Sequence, residues 1–233
     1  MQNYQMIKWS KEYGGARQVL TGSMTGVSSG QYAVDLDTVP DLRYGIVPAG
    51  TPVLADDAAR TVKIHYAFET YAVTEYTSGN ESFDVKLKKG FEGSRCVAGM
   101  KLGVMPNSVA GLSAKVTDVF TVTNVDRTAA AYDVVSVSCS ARDEAAQIAA
   151  GTVLVELEEK EPESNQYFVK VLPNAYLWYD LAKDPNAVYM YVDYLFCQND
   201  GVLLTRRVPP IADVVRDYLR SKDVYIRYSV SKE

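Results

Sequence analysis

Apolar residues in this chain recur at every second position in one stretch after another, the period of β-strands with one buried face. From Thr61 to Thr74, Val62, Ile64, Tyr66 and Phe68 line one side while Lys63, His65 and Glu69 lie opposite. The same alternation predicts a short strand from Gln31 to Asp37, built on Tyr32, Val34 and Leu36 and stopped before Pro40. Further strands are predicted from Ser82 to Lys88, Cys96 to Val104, Ala114 to Val125 and Tyr132 to Ser140. Gly, Asn, Asp and Pro clusters divide them at the spacing of a sandwich or barrel. Beyond residue 160, Tyr167 to Leu172, Val188 to Cys197 and Val202 to Val208 read as strands. The Asn199-Asp200-Gly201 step between the last two predicts a hairpin and hence a meander.

Other stretches break the period. Pro209-Pro210 opens an amphipathic helix with Ile211, Val214, Val215, Tyr218 and Leu219 on one face and Asp213, Arg216, Asp217 and Arg220 on the other. A last strand follows on Val224, Ile226, Tyr228 and Val230. Arg142 to Ala150, with Asp143-Glu144 near its start and Gly151 after its end, predicts one or two turns of helix. The Gly/Ser/Thr-rich first thirty residues read as an extended arm. The acidic stretch Glu156 to Asn165 is the best boundary in the chain. The expected fold is mainly β with an α+β C-terminal part: a β-sandwich or barrel, plus a sheet covered by one amphipathic helix. It divides into an arm at 1–30, a β-rich domain at 31–160 and an α+β domain at 161–233.

Composition changes the picture in two ways. Of 233 residues 47% are hydrophobic and 23% charged, which is the balance of a globular chain rather than a disordered one. Seventeen Tyr stand against six Phe, so most aromatic surface carries a hydroxyl and suits half-wet strand faces and interfaces. The 24 basic and 29 acidic residues are mixed along the chain, which disfavours nucleic acid as a partner. The start, Met1 to Trp9, lacks the basic and apolar regions of a signal peptide, and no apolar run has the length of a membrane span. Synthesis in the cytoplasm and use without secretion or membrane contact are therefore expected.

Catalytic constellations are hard to assemble from these residues. His65 is the single histidine available as a general base, and it sits mid-strand beside Lys63 and Glu69. Gly26-Val27-Ser28-Ser29-Gly30 fits the G-x-S-x-G pattern, but an alternating strand rather than a helix follows it. Asp56-Asp57 and Glu158-Glu159 are adjacent carboxylates whose side chains point to opposite strand faces. Cys96, Cys139 and Cys197 lie too far apart for a zinc motif, and Cys139, alternating with Val135 and Val137, is expected to pack as a small apolar residue. No phosphate-cradling glycine motif is present, so neither cofactor, metal nor enzymatic activity is expected. Tyr176, Trp178 and Tyr179 form the densest aromatic cluster, to be read as core beneath the helix, as an interface, or as a sugar-stacking platform.

One segment carries a resemblance. Tyr44-Gly45-Ile46-Val47-Pro48-Ala49-Gly50-Thr51-Pro52-Val53-Leu54, following a Gly/Thr/Ser-rich arm, resembles the Ile-Pro-Ala-Gly-Thr-Val-Leu turn of tailed-phage head decoration and head fibre proteins. A shorter version runs from Ile148 through Ala149-Ala150-Gly151-Thr152 to Leu154, and the pair marks either a duplicated unit or one turn chemistry used twice. Members of that family are β-rich, often trimeric, and bind the outside of an assembled capsid through an N-terminal arm. The resemblance implies a non-enzymatic phage or prophage structural protein at the virion surface. Its partners would be the capsid protein lattice and further copies of itself, as a homo-oligomer such as a trimer. Tyr4, Trp9, Tyr13 and Val19 would be the arm's contact residues. A carbohydrate-binding or adhesion module using Tyr176, Trp178 and Tyr179 is the alternative, and a hydrolase with an unrecognised carboxylate pair ranks last.

Overall fold

In the computed structural model, the described residues are 20–22, 27–34, 39, 46–76, 82–89, 94–139, 146–161, 164–178, 180–182, 191–196, 201–204, 208–209 and 211–229. Their strands fall into two main bodies. A closed five-stranded barrel is formed by β2 (Val27–Val34), β4 (Pro52–Asp56), β5 (Thr61–Ile64), β15 (Ala175–Leu177) and β17 (Tyr191–Phe196), in the order β15-β17-β2-β5-β4. The second body is a seven-stranded antiparallel sheet. It contains β6 (Ala67–Glu69), β8 (Ser82–Lys88), β9 (Lys101–Val104), β10 (Phe120–Asp126), β11 (Tyr132–Cys139), β13 (Val153–Glu159) and β14 (Tyr167–Val169). Its order is β14-β13-β9-β10-β11-β8, with β6 paired to β13.

Smaller pairings complete the fold. β3 (Ile46–Val47) pairs with β16 (Leu181–Ala182), and β7 (Thr74–Tyr76) with β12 (Ala146–Ile148). β1 (Leu20–Gly22), β18 (Gly201–Leu204) and β19 (Arg227–Ser229) make a three-stranded sheet. The single helix among the described residues, α1 (Asp213–Arg220), buries Val215 and Leu219 against Tyr176, Leu203, Val224 and Ile226. Pairs Asp213–Arg216 and Asp217–Arg220 decorate its outer face at i, i+3 spacing.

The β-rich class is as expected, and so are β8 and β11, whose alternation buries Val85, Leu87, Val135 and Val137 completely. Several finer expectations are corrected. The arm ends earlier than residue 30, because Leu20–Gly22 pairs with β18 and Val27–Gly30 belongs to a barrel strand. The long alternating run from Thr61 is cut after Ile64, where the chain leaves the barrel and enters the seven-stranded sheet at Ala67. Residues 146–148, expected in a helix, form β12, because Ile148 reaches the core only as part of a strand. Among the described residues the expected meander is not formed: β17 lies in the barrel and β18 in the three-stranded sheet, and they do not pair. The boundary at the acidic stretch does not separate the sheets either, since β15 and β17 close the barrel with β2, β4 and β5.

Both ends of the seven-stranded sheet are crossed by another segment. At β8, Thr70 bridges Leu87 and Tyr71 N–H donates to Lys86 O at 2.7 Å. At β14, Val116 N–H donates to Tyr167 O at 2.8 Å.

The two Ala-Gly-Thr turns share more than composition. Each is a four-residue turn closed by a 3.2 Å bond, from Thr51 N–H to Pro48 O and from Thr152 N–H to Ala149 O. Gly50 and Gly151 have φ of 78° and 81°, the left-handed position of a type II turn that glycine adopts without steric cost. Gly50 N–H donates to Leu177 O, and Leu177 N–H to Thr51 O; Gly151 N–H donates to Thr70 O, and Thr70 N–H to Thr152 O. The matching register runs outward to Leu181 opposite Val47 and Thr74 opposite Ile148. On the other edge, His65 N–H donates to Pro52 O and Met105 N–H to Val153 O. The likeness therefore covers three strands. The strap clasped by the first turn is residues 175–182, after the second turn; the strap clasped by the second is residues 67–76, after the first. Each turn holds the strand that follows the other.

Candidate functional site

Where the chain passes from barrel to sheet, a group of ionisable side chains is buried. His65 Nδ1 lies 2.6 Å from Val171 O, and a carbonyl can only accept, so Nδ1 carries the proton. Burial lowers the imidazole pKa to about 4, outweighing that bond, so the ring is neutral; its Nε2 is buried without a partner. Tyr66, next in sequence, points the other way. Its hydroxyl is also buried and unpartnered, its acidity suppressed by desolvation, and the Arg95 guanidinium sits 5.4 Å from its ring centroid. Glu156 is held above the usual carboxylate range chiefly by burial, opposed by Lys170 Nζ at 2.7 Å from Oε1. These groups tie β13 and the Lys170–Val171 segment to the His65–Tyr66 crossing. No serine or cysteine of the described residues is hydrogen-bonded to His65.

The other chemical candidates are also engaged structurally. Ser28 stands in β2 opposite Leu195, not at a strand-to-helix elbow. Asp56 accepts from the N–H groups of Ala58 and Ala59 at 2.9 Å, and Asp57 accepts from Tyr32 Oη. Glu159 lies 3.8 Å from Lys101 at the β13 edge, and Glu158 is exposed. Cys96 is fully buried with its thiol pushed up to about 12 by desolvation, and Cys139 packs partly buried against the same core as Val135 and Val137. Cys197 lies outside the described residues. Among the described residues, no three His, Cys, Asp or Glu side chains are grouped to hold a metal, and no helix is long and apolar enough to cross a membrane.

Of the aromatic cluster, Tyr176 is core. Tyr176 has no exposed surface, and its Oη meets Tyr228 Oη at 2.5 Å beneath α1. Trp178 is half-buried against the same core, and Tyr179 lies outside the described residues. A ring covered on both faces cannot stack on a sugar. Tyr4, Trp9, Tyr13 and Val19 also lie outside the described residues.

Exposed apolar surface gathers instead around the second turn. Tyr71 is 46% and Val73 52% exposed on the strap that this turn clasps. Tyr71 packs on Tyr132 with centroids 5.0 Å apart, and Lys86 Nζ lies 5.0 Å over the Tyr132 ring. On the turn's other flank is a groove of about 360 Å³ whose lining includes the apolar Met105, Pro106, Val153 and Val214 and the polar Asn107 and Asp213. The turn residues Ala149, Ala150 and Gly151 are exposed, whereas Pro48, Ala49, Gly50 and Thr51 of the first turn are all buried. Sequence reasoning found both turns but not this difference, because burial of the first depends on residues that lie far along the chain. The signal available was weak: Tyr71 and Val73 fall on the side of the strand occupied by Lys63 and Glu69. Comparison with known proteins returned no match: no family model fits the chain, and no curated protein or solved structure is significantly similar to it.

Proposed function

We propose that this chain is a non-enzymatic structural protein of a phage or prophage virion, binding the outer capsid surface as a decoration or head fibre protein. The observation that carries the reading is the turn at Ala149–Thr152, with Ala149, Ala150 and Gly151 exposed, flanked by the accessible Tyr71 and Val73. Exposed Tyr71 and Val73 on a β scaffold, bordered by Glu69, Lys86 and Lys88, form an apolar centre with a charged rim, which suits protein–protein contact better than turnover of a small molecule. The likeness of both turns to those of head decoration proteins supplies the partner, the capsid lattice. The arm residues Tyr4, Trp9, Tyr13 and Val19 would add strand pairing and aromatic contacts, and a homo-oligomer such as a trimer would multiply weak sites into avidity. The test is co-sedimentation with assembled capsids encoded beside its own gene. Saturable association weakened by combined Tyr4→Ala, Trp9→Ala and Tyr13→Ala substitution is expected; no association at saturating protein overturns the reading.

A further inference from the structure

The two clasped turns are alike in backbone and differ in what lies on them. Over the first turn, Leu203 and Val208 close down so tightly that a Cβ at Gly50 would collide with Val208 Cγ1 and lie 3.4 Å from Leu203 Cδ1. Its Ala49 N–H donates to Asp180 Oδ1 at 2.6 Å. Over the second turn, a Cβ at Gly151 would meet, among the described residues, only Glu69 Oε1, at 3.9 Å. By register, Ala150 corresponds to Ala49, Tyr71 to Trp178 and Val73 to Asp180. The carboxylate that serves the first turn is thus a valine on the second, and the half-buried tryptophan is a tyrosine with 46% of its surface exposed. The first turn shows what covers such a clasp: two branched aliphatic side chains, Leu203 and Val208, on the glycine, and an oxygen acceptor, from Asp180, for the preceding N–H.

We propose that the Ala149–Thr152 turn, with Tyr71 and Val73, is a docking site for an extended aliphatic segment of a partner protein. The segment lays a branched side chain on Gly151, as Leu203 and Val208 do on Gly50, and offers a carbonyl to Ala150 N–H in place of the acceptor that Asp180 supplies to Ala49. This deepens the surface-binding reading by naming the contact. It does not depend on the partner being a capsid: peptide binding without capsid association would sink the virion reading alone.

The probe is a fluorescein-labelled peptide copying residues 201–210, Gly-Val-Leu-Leu-Thr-Arg-Arg-Val-Pro-Pro, titrated into the full chain and followed by anisotropy. Saturable binding with Kd below about 1 mM is expected, persisting at about 0.5 M salt, where charge attraction between exposed groups is screened. Val73→Asp and Tyr71→Ser should each weaken it at least about tenfold. Both positions are exposed, so the variants should fold as the parent does. Tyr225→Ser, at an equally exposed residue outside the site, should leave binding unchanged. Absence of saturable binding, binding abolished by salt, or equal binding by parent and Val73→Asp overturns the proposal. So does concentration-dependent self-association lost in Val73→Asp, which would make the occupant this same face of a second copy.

Discussion

His65 makes stability depend on pH in a defined window. The unfolded imidazole takes up a proton below about 6.5, while the folded one refuses it until about pH 4. The unfolded chain therefore binds more protons between these values, and stability falls as pH drops through the window, by about 3 kcal/mol from this group. Glu156 acts with the opposite sign: its folded pKa is raised, so above the unfolded value of 4.5 it costs stability as pH rises. His65→Gln retains a donor for Val171 O but does not titrate, so urea unfolding at several pH values should show a flatter slope between pH 4 and 6.5. An unchanged slope would exclude His65 as its source. Asp133 is a second buried residue with a measurable role. It has no exposed surface, accepts from Ser94 N–H at 2.7 Å, and faces Lys89 Nζ at 3.4 Å and Arg127 Nε at 4.0 Å. Asp133→Ala leaves that N–H and two partly buried cations uncompensated, and should cost about 3 kcal/mol in denaturant unfolding.

Among elements, the two turns offer a paired experiment. Gly50→Ala and Gly151→Ala both place a side chain at positive φ, at about 1–2 kcal/mol each. Only the first also drives a methyl into Val208, so it should cost about 1–3 kcal/mol more. Equal losses in thermal or chemical unfolding would mean that Val208 yields freely. Alternation made β8 and β11 legible, since Phe83, Val85, Leu87 and Val135, Val137 face one core. It misled at Thr61–Thr74, where Tyr66 in the crossing and Phe68 in the next sheet stay buried although Val62 and Ile64 belong to the barrel. A change of sheet leaves the period of two intact, so no local pattern reports it. The helix expected near residue 146 failed although Ala and Gln are good helix formers, because propensity is a small term and pairing of Gln147 with Glu75 and Ile148 with Thr74 overrode it. The Asn199-Asp200-Gly201 step predicted a hairpin from turn chemistry alone, but β17 and β18 find partners among strands more than 150 residues earlier: Tyr32, Ala33 and Leu20. The docking site was legible in its turn and not in its exposure, because residues 203 and 208, not the turn itself, decide which glycine is covered.

At the scale of the molecule, the exchanged straps join what composition would divide. One core cluster draws on Tyr32, Val62, Leu87 and Leu177, and the other on Ala49, Leu157, Tyr176 and Leu219, so both contain residues from either side of position 160. Unfolding should be a single transition. In a Trp9→Phe background, Trp178 fluorescence and far-UV circular dichroism should give coincident denaturant curves. A plateau or separated midpoints would show that one cluster opens first.

The crossings at Leu87 and Tyr167 have a further effect on how a second chain can attach. An uncovered sheet margin is a template on which another chain's backbone can grow. With Thr70–Tyr71 laid against Lys86 and Leu87 on one margin and Val116 against Tyr167 on the other, part of each margin's backbone is already engaged, leaving a shorter free stretch on which a second chain could pair.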